Sequence, residues 1–409
     1  MNIKCNQFEA WLTRFGLFFA VMIIFWSPFS GSTRPPTLLL AILGLVYLVV
    51  YKTQLFKALA VRRWTWLFLL LWIPLWTSLI NSYDVKATLS AIAWFPLLYL
   101  AGIALVQALT HTQSRIWLAQ AMVTIVGIWF VDSTVQYCLG RDLIGVPMSI
   151  DGRVTGLFTD LHQGLIVLAV LPIAYYCLLD SQKPIATYLL LIAAGLMMAL
   201  AGARNYVYVL VLIIFGIIFY QKLNPKRVIA LLGVPVLVTL IAFGLSRQLI
   251  QMKIEHTEKI QQASTTTYQK INNALSYRLN IWETGYQMFL SSPVTGIGSK
   301  NFKRAYPEFT SRPEDPFAKT GIHAHNIYVE LLAETGLVGF AGLLAVMTLC
   351  FRWYQQSPDK NKKMAWPFAL SLMAIFFPIN TTAPIMVPWW FPVLLLLVCG
   401  FIASLEDKA

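Results

Sequence analysis

Stretches of roughly 16–25 mostly apolar residues, each long enough to cross a bilayer as a helix, recur along nearly the whole chain. Twelve are marked, at about 15–30, 36–51, 64–80, 88–109, 116–138, 161–179, 184–203, 205–220, 228–245, 326–350, 364–380 and 386–405. With 58% hydrophobic and 12% charged residues among 409, the chain is too apolar for a water-soluble domain. The pattern predicts an all-α polytopic membrane protein of about twelve transmembrane helices. Spans one to nine occupy 1–245, one long polar loop with helices occupies 246–324, and spans ten to twelve occupy 325–409.

Lysine and arginine set the orientation. With the N-terminus in the cytoplasm, sixteen of the 31 basic residues fall on cytoplasmic segments and five on short outward loops. This excess places both termini in the cytoplasm and the loop 246–324 on the outer face. The loop carries ten basic residues against six acids, an excess that suits anionic lipid headgroups or a phosphate-bearing substrate. Nucleic acid is not expected as a partner on that side of a membrane. None of the five cysteines lies in the outward loop, so no structural disulfide is expected. The first apolar run has basic flanks and no small-residue cleavage site, and reads as an uncleaved span.

Spans one to four are almost free of ionisable residues and read as scaffold, with Trp64, Trp66, Trp72, Trp76 and Trp94 as interface belts. Asp132, late in span five, is either a functional acid facing the bundle interior or part of a wetted helix end. The outward connection 139–160 is rich in Gly, Asp and Arg. Arg153 within it and His162 just after it either line a polar cavity or are held by local hydrogen bonds. Arg204 follows span seven in ALAGARNYV, with no room for a long loop. There it either snorkels to headgroups or aims a permanently charged fork into the bundle, a shape suited to bidentate phosphate recognition.

In the polar loop, 247–275 reads as polar helix and SYRLNIWETGYQMFLSS as a second helix. The spacing of Leu279, Trp282, Tyr286 and Phe289 predicts that this second helix docks one face on the bundle and fixes Arg278 on its flank. Pro293 and the Gly-Ile-Gly of 296–298 end that helix; without a P-loop's GK[ST] ending they read as a turn rather than a phosphate cradle. The stretch 321–339, GIHAHNIYVELLAETGLVG, then brings His323 and His325 to the start of an apolar helix capped by Asn326 or its neighbours. A histidine at the water–membrane boundary titrates near neutral pH and suits a general base; the alternative is an ordinary interface pair. Glu330 and Glu334, one turn apart, either orient a histidine, bind a sugar or pair structurally.

No HExxH, paired CxxC or compact carboxylate cluster points to a catalytic metal, and nothing calls for a cofactor. No GxSxG suggests an acyl-enzyme and no Asp-x-Asp a nucleotide-sugar transferase. What remains is a set of cations and one histidine. That set suits a reaction whose leaving group is already activated, such as a diphosphate, and needs charge stabilisation plus one proton acceptor.

The run H-N-x9-G-x2-G formed by His325, Asn326, Gly336 and Gly339 resembles the signature of the O-antigen ligase and polymerase superfamily. YRLNIWETGYQMFLSSPVTGIGSKNF resembles that family's R…W…P-x-x-G-x-G-x-x-F stretch, and AGARNYV its Arg-bearing helix end. The motifs cover about 190–345, and the twelve-span layout with one long periplasmic loop covers the whole chain. The resemblance implies a GT-C-like glycosyltransferase of the bacterial inner membrane. Such a ligase moves an O-antigen glycan from undecaprenyl diphosphate to a lipid A–core sugar hydroxyl at the periplasmic face, with inversion and without a metal. Carried onto this sequence, Arg204 and Arg278 hold the donor diphosphate and His325 deprotonates the acceptor. Beside the resemblance, Arg153, His162, His323 and Asn326 are candidate substrate contacts by their position in the sequence. Related alternatives are an O-antigen polymerase and a protein O-oligosaccharyltransferase. A transporter or flippase is disfavoured, because no internal repeat is visible and the polar residues gather at one face.

Overall fold

The computed structural model describes residues 3–29, 31–149, 152–158, 162–202, 204–222, 233, 266–312, 315–378, 380 and 383–406. Among these residues the chain is all helical, its one β-type pairing being an isolated bridge between Arg141 and Pro147. This is the architecture expected of a membrane-spanning chain, since a helix satisfies its own backbone hydrogen bonds in lipid. The expected ninth span, 228–245, lies outside the described residues except for Gly233, as does most of the polar stretch before residue 266.

The first eight helices are α1 (Ile3–Phe25), α2 (Arg34–Tyr51, continued by a 3₁₀ turn Lys52–Lys57), α3 (Leu59–Thr77), α4 (Val85–Leu109), α5 (Thr112–Leu139), α6 (Gln163–Asp180), α7 (Pro184–Leu200) and α8 (Arg204–Gln221). Three short helices follow, α9 (Thr267–Ala274), α10 (Arg278–Ser291) and α11 (Phe302–Phe309), and then α12 (Ile327–Gln356), α13 (Asp359–Ile375) and α14 (Phe391–Ser404). Six helices, beginning at Gln7, Arg34, Val85, Thr112, Gln163 and Ile327, are long and apolar enough to cross a membrane, and Pro184–Leu200, Asn205–Gln221 and Phe391–Ser404 are shorter apolar helices. The chain is therefore a multi-pass membrane protein.

Two helices form the centre. α4 packs on α1, α2, α3 and α14, and α6 packs on α5, α7, α8 and α13. α6 is buried nearly all round, as its uniformly apolar sequence requires. α2 approaches α4 through Gly44, where a Cβ would run into the Leu100 carbonyl, the small-residue contact that lets membrane helices touch closely. Trp66 and Trp76 are exposed on the bundle surface, as a belt requires, but Trp64 is not. It is buried, and its indole N–H donates to the Tyr99 carbonyl at 3.0 Å, so packing between α3 and α4 claims it instead.

A second, smaller core joins α10, α11 and the start of α12 through Ile281, Met288, Ile297, Phe302, Ala305, Tyr306, Ala324 and Ala333. The inward stripe of α10 is Ile281, Thr284, Gly285 and Met288, whereas Tyr286 is exposed. The expected face is thus displaced by about one residue. The reason is a close approach: a Cβ on Gly285 would collide with Val329 of α12, so the small residue, rather than the aromatic stripe, sets the contact.

The glycines of 296–298 and 336 form the joint that holds this unit together. α12 is broken at Gly336, whose φ of 60° and ψ of −158° leave the helical region, a conformation open to glycine. The segment 293–298 enters the break. Leu337 N–H donates to the Pro293 carbonyl at 2.8 Å and Val338 N–H to the Val294 carbonyl at 3.1 Å, while Ile297 and Gly298 N–H donate to the carbonyls of Ala333 and Glu334 at 2.9 and 3.0 Å. A Cβ on Gly336 would strike the Val294 carbonyl oxygen. The Gly-x-Gly turn therefore has its amides committed, that of Gly296 to the Ser292 carbonyl and those of Ile297 and Gly298 to α12.

Candidate active site

His325 sits at the corner between the loop and α12, with a φ of 52° that side-chain-bearing residues rarely adopt. Its position is fixed from both sides. The preceding carbonyl, that of Ala324, accepts from the Trp282 indole of α10 at 3.1 Å. The following residue, Asn326, caps α12 by accepting from Tyr328 and Val329 N–H at 3.0 and 3.2 Å, and its amide N–H donates to the Pro378 carbonyl at 2.8 Å. Asn326 thus contributes the placement of the helix end. A strained backbone held by so many partners is the pattern found where a side chain must point in one direction.

Burial pushes the His325 imidazole down from its ordinary 6.5 to about 4, and the charge of Arg278, with those of His323 and His162, pushes the same way. At neutral pH the ring is uncharged, and among the described residues neither of its nitrogens has a hydrogen-bond partner. A desolvated, neutral imidazole has a nitrogen lone pair that can accept a proton. His323 is also lowered, by burial and then by Lys303.

Arg278 is the first residue of α10 and half-buried. The two residues before it, Ser276 and Tyr277, have φ values of 55° and 64°, so the chain reverses sharply between α9 and α10. Tyr277 N–H donates to the Asn272 carbonyl at 2.8 Å, and one Arg278 N–H donates to the Leu275 carbonyl at 3.1 Å. Below it, Arg312 pairs with Glu283 at 2.8 Å and lies over the Tyr268 ring, with 4.1 Å from guanidinium carbon to centroid, closing α9 on α10. That pairing holds the Glu283 carboxyl below its usual range.

Arg204 begins α8. Its neighbour Asn205 bonds Asn380 at 2.8 Å, two residues along the chain from the Pro378 carbonyl that anchors Asn326. The amino ends of α8 and α12 are therefore tied to one segment. His162 is the residue preceding α6, and its ring lies 4.0 Å from that of Trp389. Arg153 lies against the turn before α8, where a Cβ on Gly202 would be 3.5 Å from its Cδ, and Val154 N–H donates to the Leu200 carbonyl. The residues read from sequence are thus brought to one end of the bundle, and His162, Arg204, Arg278 and His325 each stand at the amino end of a helix. Four such ends add their positive dipoles to the side-chain charges, a setting suited to an anion.

Two acids have structural duties that the sequence did not disclose. The Glu334 carboxylate accepts from Lys300 and Phe302 N–H at 2.8 and 3.0 Å, capping α11. Asp132 is fully buried and accepts from Leu143 N–H at 2.9 Å, pinning the 140–158 connection to α5. Among the described residues no group of three His, Cys, Asp or Glu side chains is arranged to hold a metal ion.

Residues 187–344, which contain Arg204, Arg278, His325 and the Gly336 joint, match the model of the O-antigen ligase family. The chain is also similar to an uncharacterized protein of Haemophilus influenzae, 25% identical over 190 residues, which are 44% of this chain and 45% of that protein. The match therefore spans less than half the length of that relative. Segment 187–344, with Arg278, His325 and the glycine joint inside it, is thus similar to the O-antigen ligase family.

Proposed function

We propose that the chain is an inverting, metal-independent glycosyltransferase that moves an O-antigen glycan from undecaprenyl diphosphate to a sugar hydroxyl of lipid A–core, at the periplasmic face of the inner membrane. Arg278 and Arg204, with the amino ends of α10 and α8, hold the donor diphosphate. His325 accepts the proton of the acceptor hydroxyl as its oxygen attacks the anomeric carbon from the side opposite the diphosphate. The bond from that carbon to the phosphate oxygen breaks, and the diphosphate leaves with its new charge matched by the guanidinium groups. Arg153, His162 and His323 serve as further contacts with the substrates.

The observation that carries this reading is the placement of His325 at a strained corner fixed by Trp282 of α10, the helix that Arg278 begins. An imidazole held near 4 is a poor base in the empty site. A bound diphosphate cancels the Arg278 charge that depresses it, so donor binding itself raises the basicity of His325 toward the working pH. Purified protein in vesicles, given glycan-loaded undecaprenyl diphosphate and lipid A–core without ATP or an ion gradient, should form glycosylated lipid A–core. Lengthening of the carrier-bound glycan alone would instead identify a polymerase, and no transfer to either acceptor would reject the reading.

A further inference from the structure

At the end of α12 opposite His325, α12 and α3 leave a groove of about 490 Å³ lined by Trp66, Leu70, Ala345, Thr348, Leu349 and Trp353. That volume is within the range of small-ligand sites, roughly 300–1,000 Å³. Arg63 lies on the same face of α3 as Trp66 and Leu70, three and seven residues before them. It lies beside the groove, with its guanidinium carbon 5.4 Å from the centroid of the ring of the lining residue Trp353.

Arg63 is 8% exposed, and its Nε and Nη1 are buried without a hydrogen-bond partner. The acid near enough to attract it is Glu406. The carboxylate of Glu406, however, accepts from the Leu59 and Ala60 N–H groups at the amino end of α3, and among the described residues no hydrogen bond joins it to Arg63. A guanidinium in apolar surroundings without a hydrogen-bonded counter-ion is costly, and a phosphate offers the two oxygens that its fork matches. Exposed Lys57, Arg62 and Arg352 add positive charge around the same end.

We propose that this seam binds one anionic phospholipid of the leaflet opposite the His325 site, with an acyl chain along the groove and the lipid phosphate on Arg63. An apolar channel and a cation deprived of its anion stand side by side here, and a phospholipid supplies the complement of both. The bound lipid mortises α3 to the lower part of α12 without touching the transfer site.

The test is native mass spectrometry of the full chain in mild detergent, titrated with phosphatidylglycerol, phosphatidylcholine or inorganic phosphate. The wild type should retain one phosphatidylglycerol at about tenfold lower concentration than phosphatidylcholine, whose choline cation offsets the phosphate charge that Arg63 and its basic neighbours attract, and inorganic phosphate, which has no acyl chain for the groove, should not compete. Arg63→Gln should abolish the preference, the exposed neighbour variant Arg62→Gln should keep it, and Trp66→Ala should weaken retention of both lipids. Equal retention of the two lipids by the wild type, an unchanged preference in Arg63→Gln, or an equal loss in Arg62→Gln would overturn the site. If Arg63→Gln does not fold, wild-type retention by Trp66→Ala overturns it instead.

Discussion

The two polar connections at the His325 end of the bundle are fastened in opposite ways. In 140–158, side chains hold the backbone: Asp132 accepts from Leu143 N–H, and Gln136 accepts from Thr155 and Gly156 N–H, both at 2.8 Å. In the unit formed by 293–298 and α12, backbone holds backbone, through four main-chain hydrogen bonds across the Gly336 break. The corner at His325 is held by its neighbours, through the Trp282 indole on the Ala324 carbonyl and the Asn326 cap, so the imidazole is placed without spending its own polar atoms. In 140–158 the fastening side chains spend theirs on the loop: Gln136 bonds backbone through both ends of its amide, and Asp132 commits one of its oxygens.

Breaking the second connection at its functional group should have the largest effect. His325→Ala should lower transfer by roughly 10²–10⁴-fold, the contribution of a positioned general base, with thermal unfolding unchanged. Near-normal turnover would remove His325 from the chemistry. Next comes the fastening itself. Gly336→Ala forces a Cβ into a left-handed position against the Val294 carbonyl and should destabilise by about 1–3 kcal/mol. Thermal unfolding and transfer should fall together in this variant; an intact melting temperature would mean that the break is not what holds the segment.

Asp132→Ala tests the first connection. It leaves the Leu143 N–H without its acceptor and should cost about 1–3 kcal/mol in unfolding measurements. Turnover per folded molecule should stay within a few-fold of wild type, and a loss comparable to that of His325→Ala would make Asp132 part of the chemistry. The smallest effect concerns pH. His325 is neutral above about 4, so kcat/KM, which reports the free enzyme, should fall only as the pH approaches that value. Arg278→Gln removes a charge that lowers the imidazole, so the acid limb of its residual activity should move upward, toward 6.5. An unmoved limb would separate the two residues.

The membrane-spanning character and the cationic candidates were legible because they depend on residue type and run length. Apolar runs mark spans whatever their neighbours do, and Arg204, Arg278 and His325 are conspicuous as charge or titratable groups beside such runs. What was hidden depends on partners distant in sequence. Trp64 reads as a belt residue until the Tyr99 carbonyl claims its N–H. The face of α10 reads from its aromatics until Val329 demands the glycine. Glu334 reads equally as a histidine, sugar or structural partner until the amino end of α11 is placed against it. The backbone strain at Ser276, Tyr277 and His325 has no sequence signal, since none of these is a glycine.

The break at Gly336 also has a mechanical meaning. The twenty residues after it, 337–356, are long enough to cross a bilayer alone, and such a helix tilts as membrane thickness changes. The turns before it, from Ile327, are bound to 293–302 by main chain and by Glu334. A continuous helix would transmit every tilt to its tip as a lever does. Interrupted at Gly336, α12 is instead splinted by 293–298, which bonds Ala333 and Glu334 on one side of the break and Leu337 and Val338 on the other, so a tilt of the lower part is shared with that segment rather than delivered to the helix tip alone.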